Sequence, residues 1–181
     1  MVLRASGLVA ALALTVATAH AGETIIRRPG EALSAFAERS LPPQKELAAK
    51  PVEVSLPPLG KVAVVLMRPA GSSSNYAGWV LVPTGPGAYR KEVLPPMELA
   101  EGLFEVEVQS VFTAEGGGEP SPKLCVLYSY YRTGSGEEGD HATEVYGWKA
   151  GAFARFPELG ETLNGLKNAR QVRARLKKGG R

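Results

Sequence analysis

The chain has 181 residues, with 21 Lys and Arg against 18 Asp and Glu, two His and one Cys. A formal net charge of +3 is too small to mark a nucleic-acid partner. One cysteine excludes an internal disulfide, and His141, the only histidine beyond the first 21 residues, excludes sites built on two or more histidines, most catalytic zinc sites among them.

The first 21 residues read as a cleavable signal peptide. Arg4 supplies a positive start, residues 7–17 form an uncharged apolar run, and Ala19-His20-Ala21 is a small-x-small cleavage site. The run is shorter than the ~20 residues of a spanning helix, and no later stretch is apolar and long enough to span a bilayer. Cleavage after Ala21 places the chain in the periplasm of a Gram-negative cell, or outside the cell otherwise. Arg4 is the only charge removed, so 20 basic residues face 18 acidic ones in the remainder. His20 leaves as well, making His141 the only histidine of the mature protein.

Residues 22–60 form an N-terminal segment with one short helix, EALSAFAER (31–39), placed after Pro29 and ended by Pro42-Pro43. Val52, Val54 and Leu56 alternate with polar residues and predict a first short strand. The β-rich region, 61–178, follows. KVAVVLMR (61–68) is a continuous apolar run that predicts a central strand. GWVLVP (78–83) and YRKEVL (89–94) continue the pattern across the breaker-rich TGPGA (84–88). LFEVEVQSVFT (103–113) alternates as a half-buried strand, AEGGGEPSP (114–122) reads as a loop, and LCVLYSYYRT (124–133) reads as the most buried strand. HATEVYGWK (141–149) and AFARF (152–156) form a hairpin turning at Ala150-Gly151. The connections are too short for crossover helices, so the fold class is mainly β, an antiparallel sheet or meander. At the end, Leu163, Leu166, Ala169, Val172 and Leu176 make an apolar stripe at helical spacing, and Asn168 with Gln171 fits the cap of an amphipathic C-terminal helix starting at Ala169.

Chemistry is sparse. A Cys–His nucleophile could only be Cys125 with His141, and Cys125 sits inside an apolar strand, where a thiol is inert. No G-x-S-x-G elbow is present, and Asp140 is the only aspartate. Glu105 and Glu107 share one strand face and read as a solvated face before an acid–base pair. The glycines 116–118 lack the lysine and following helix of a phosphate loop.

The stretch VQSVFTAEGGGEPSPKLCVLY (108–128) resembles the integrin-type FG-GAP repeat of exported bacterial β proteins. In that family an acidic loop, D-x-D-x-D-G-x-x-E-L, leads into an apolar strand and binds calcium. The resemblance extends to VYGWKAGAF, near residue 156. Here the aspartates are gone and only Glu115 and Glu119 remain. Calcium needs six to eight oxygens, so the resemblance carries no ligand to this chain, and no metal or cofactor is expected.

Two surfaces remain as binding candidates. Tyr130, Tyr131 and Trp148 would form an aromatic platform if exposed together. Arg170, Arg173 and Lys177 belong to a helix with no acid after Glu161. The sequence therefore predicts an exported, non-enzymatic binding or accessory module, taking an envelope protein, a glycan or an anionic surface. A small envelope hydrolase with a carboxylate or single-His site is the alternative.

Overall fold

The structure, a computed structural model, describes residues 22–73, 76–97, 104–132, 134 and 139–179; the expected signal peptide lies outside them. Among the described residues ten strands form two antiparallel sheets. In chain order they are β1 (Thr24–Ile26), β2 (Lys45–Leu47), β3 (Val52–Ser55), β4 (Lys61–Pro69), β5 (Ala77–Gly85), β6 (Ala88–Leu94), β7 (Phe104–Gly116), β8 (Glu119–Arg132), β9 (Asp140–Lys149) and β10 (Ala152–Arg155). Helix α1 (Leu33–Ser40) precedes β2, while α2 (Pro157–Glu161) and α3 (Ala169–Gly179) end the chain.

The first sheet runs β1-β6-β5-β4-β2, with β3 also on the outer side of β4. The second runs β10-β9-β8-β7. Residues 22–60 are thus built into the first sheet: β1 pairs with β6, and β2 and β3 share the length of β4. The mainly β, antiparallel reading holds.

The sheets pack face to face. Val62, Val64, Leu66, Val80 and Val82 from one meet Val106, Leu124, Val126, Tyr128 and Tyr146 from the other. The outer face of the first sheet carries Ala63, Val65 and Leu81 under Phe36 and Ala37 of α1. The outer face of the second carries Phe112, Cys125, Leu127 and Val145 under Leu163, Val172 and Leu176. The order of layers is helix, sheet, sheet, helix. It explains the near-continuous apolar runs in β4 and β8, because a strand covered on both faces has no solvent side to make polar. Burial of this kind contributes roughly 1.5–3 kcal/mol for each large aliphatic side chain.

Helix α3 starts as its sequence indicates. Asn168 Oδ1 accepts the Gln171 N–H at 3.0 Å, and Gln171 Oε1 accepts the Lys167 N–H at 2.8 Å. One donor of the first turn and the N–H just before the cap residue are thus satisfied by side chains. The segment 114–122, expected as a loop, is instead the tip of a long hairpin: β7 and β8 pair as far as Gly116 and Glu119. Gly117 and Gly118, both at positive φ (71° and 79°), make the two-residue turn. Gly116 has φ 112°, and an added Cβ would stand 2.3 Å from the Leu176 carbonyl oxygen. Only glycine lets the hairpin tip run this close beneath α3, where the Gly117 N–H bonds the same carbonyl at 3.3 Å.

Candidate functional site

At each side of the sandwich the two sheets approach along a seam. β10 lies beside β6, and β3 lies beside β7. The two seams hold different chemistry.

Inside the sandwich on the β6–β10 side sits a polar cluster. β9 points Glu144 inward between Ala142 and Tyr146, and β10 places Arg155 opposite Tyr146. Arg155 Nε stands 3.0 Å from Glu144 Oε2, with both side chains largely shielded from water. Arg155 Nη1 also donates to the Pro96 carbonyl at 3.4 Å, tying β10 to the end of β6. Three phenols surround the pair. The rings of Tyr76 and Tyr128 meet edge to face at 6.3 Å. The Tyr76 and Tyr146 hydroxyls approach each other, yet neither makes a hydrogen bond of ordinary geometry. Burial pushes all three phenols above their usual range, and the Glu144 carboxylate adds to the push. Glu144, Arg155, Thr143 and Glu161 line a cavity of about 140 Å³ where β9 meets α2.

The β3–β7 side is open. A groove of about 590 Å³ lies between the turn after β3 (Ser55, Pro57), the far end of β7 (Thr113, Glu115) and the side of α3 (Arg173, Lys177). Arg173 crosses to the sheet: its Nε donates to the Thr113 carbonyl at 3.0 Å, and its guanidinium lies 4.8 Å from the centre of the Phe112 ring. Val172 and Leu176 face the sheet, so Arg170, Arg173 and Lys177, at i, i+3 and i+7, form one row beside the groove. Among the described residues that line it, Glu115 is the one acid.

The two sequence candidates therefore fare differently. The basic residues come together: Arg173 and Lys177 line the groove, and exposed Arg170 continues their row. The aromatic residues do not. Tyr130 is half-buried against the inter-sheet core with its ring 6.0 Å from that of Tyr128. Tyr131 points to the other face, where a hydrogen bond with Glu105 raises its pKa. Trp148 packs on Phe153 at 5.0 Å. Tyr130 pairs with Asp140, and Trp148 is eight residues further along β9, about 26 Å away at strand rise. The pairing register separates them.

Register also separates the Cys–His pair. Cys125 faces Val145, whereas His141 faces Ser129, four residues or about 13 Å along β8. Cys125 is fully buried, and burial pushes its thiol up to about 12. Among the described residues no group of three or more His, Cys, Asp and Glu could hold a metal ion, and no helix is long and apolar enough to cross a membrane.

Sequence reasoning missed the Glu144–Arg155 pair. Its signal was there: Glu144 shares a strand face with Ala142 and Tyr146, and Arg155 lies across the short hairpin, opposite Tyr146 and diagonal to Glu144. No known family model, curated protein or solved structure shows significant similarity to this chain.

Proposed function

We propose that the chain is an exported, non-enzymatic binding module and that its contact surface is the β3–β7 groove with the basic row of α3. The supporting observation is the groove itself. At about 590 Å³ it has the size of an ordinary ligand site, and among the described residues two cations of one helix line its wall against one carboxylate. A net-basic concave surface favours an anionic partner. Export rests on the reading of residues 1–21 as a signal peptide.

A photo-crosslinking amino acid placed at Ser55 or Lys177, with Val93 as a distant control, tests this reading in an envelope extract. Val93 is 66% exposed on the outer face of the first sheet. Adducts from the groove positions alone are the expected result. Adducts from Val93 alone, or from none of the three, would reject the groove as the contact surface.

A small hydrolase is the second reading, because Glu144 and Glu161 line one cavity. That cavity, about 140 Å³, is below the usual range of ligand sites, and Arg155 already engages Glu144. Both points favour a structural role for the cluster.

A further inference from the structure

We infer that the groove takes one extended, acidic peptide segment of another polypeptide, which adds as a strand to the free edge of β7. The inference rests on the binding-module reading and names the class and mode of its partner.

Among the described residues β7 is the last strand of its sheet. The Val106 N–H bonds the Ser73 carbonyl at 2.6 Å, and the Thr113 carbonyl accepts from Arg173, so both residues turn their backbone polar groups away from β8. Residues pointing to one edge recur every second position, shifted by one where the ladder is irregular between Val108 and Ser110. Val108, Val111 and Thr113 therefore point their N–H groups away from β8, and of the three Thr113 lines the groove. No described residue outside the sheet bonds them. Val111 and Thr113 are spaced as a ladder requires. Across the groove, β3 pairs with β4 among the described strands.

Such an edge draws strands, and addition of an extended peptide to it is a known recognition mode. The walls select the occupant. Ser55 and Pro57 line one side of the groove and Arg173 and Lys177 of α3 another, and a channel with two walls suits a single extended chain better than a planar lipid surface. Arg170, Arg173 and Lys177 run beside that path and favour carboxylates. Arg173 acts as a placeholder. Its Nε donates to the Thr113 carbonyl; an incoming N–H replaces it there, and the guanidinium turns to an acidic side chain of the peptide.

The test is a fluorescence-anisotropy titration at low salt with the peptide Glu-Val-Glu-Val-Glu-Val-Glu. Its lysine counterpart, its backbone N-methylated form and vesicles of phosphatidylglycerol and phosphatidylcholine serve as comparisons. The acidic peptide is expected to bind, the lysine peptide not. N-methylation should abolish binding, because the ladder needs the peptide's N–H groups. Lys177→Glu should weaken binding about tenfold. Thr113→Pro should do the same, since it removes an outward N–H and leaves the β8 ladder intact. The N-methylated peptide makes its test on the unaltered protein, so misfolding of a variant does not obscure the answer. Equal binding of both acidic peptides would overturn strand addition. Binding to the vesicles without the peptide would also overturn it, in favour of a lipid surface. If no peptide binds while crosslinks from Ser55 or Lys177 persist, the acidic strand is wrong and the binding module survives. If both fail, both readings fall.

Discussion

The two seams of the sandwich solve the same problem in opposite ways. Between β6 and β10 the gap is closed from inside: Arg155 reaches Glu144 and the Pro96 carbonyl, and three tyrosines fill the space around them. Between β3 and β7 the gap is left open and one wall is a helix carrying cations. The closed seam stores stability and the open one does not. A partner can enter only where the fold does not depend on what it would displace. Sheet edges are normally blunted against chance pairing; on β7 this falls to Arg173 and the Ser73 carbonyl, each covering a single backbone group.

The largest expected effect comes from breaking the closed seam. Arg155→Ala leaves the Glu144 carboxylate, in a residue only 9% exposed, among three phenols without its cation. A destabilisation of about 2–4 kcal/mol is expected by urea unfolding. A loss under about 1 kcal/mol would show that the pair is solvated and the seam is held by other contacts.

Gly116→Ala comes next, at the closed end of the hairpin. A Cβ 2.3 Å from the Leu176 carbonyl oxygen, at φ 112°, forces either β7 or α3 to move. About 2–3 kcal/mol is expected from thermal unfolding, with faster amide exchange in α3. Wild-type stability in this variant would mean that α3 does not sit on the hairpin tip.

Alkaline pH should sharpen the contrast further. Tyr76, Tyr128 and Tyr146 have pKa values raised above the usual 10.0 by burial. In the unfolded chain they ionise near 10, while in the folded chain they stay neutral. Their contribution is whole below pH 10 and lost as pH rises above it, by about 1.4 kcal/mol per pH unit for each phenol held back. Stability curves against pH, with phenolate absorbance followed in parallel, check this. Full phenolate titration of the folded protein near pH 10 would place these rings in water.

The smallest expected effect belongs to the open seam. Arg170 and Lys177 are exposed. Replacing both with Glu should change stability by no more than about 0.5 kcal/mol while impairing capture of an anionic partner. A large stability loss would turn the basic row into a structural element.

Much of the closed architecture was legible in the sequence, because it rests on local patterns. Residues 61–68 and 124–133 are apolar on both faces of their strands, and Asn168 with Gln171 marks the start of α3 three residues at a time. β1 and β2 were not legible. Each has three residues, too few to show a period, and each is a strand only because β6 and β4 lie beside it. The hairpin tip was misjudged for a related reason. Glycine and proline in 114–122 suggested a loop, while the pairing of Ala114 with Lys123 keeps the strands extended almost to Gly117. The candidate site divides in the same way. The row Arg170, Arg173 and Lys177 follows from helical spacing. That it faces a groove depends on the placement of the turn after β3, set by contacts between the two sheets, and no stretch of the sequence shows that alone. The aromatic platform fails because the separation of Tyr130 and Trp148 is fixed by the register between β8 and β9.

Amide hydrogen exchange along β7, read residue by residue by NMR on the unliganded protein, tests the open edge most directly. Ser110, Phe112 and Ala114 alternate with Val111 and Thr113 and turn toward β8, so their amides should exchange slowly. Val108, Val111 and Thr113 should exchange fast, giving an alternating profile along one strand. Uniform slow exchange from Val108 to Ala114 would mean that the edge is already covered, and the seam between β3 and β7 could not serve as a docking groove.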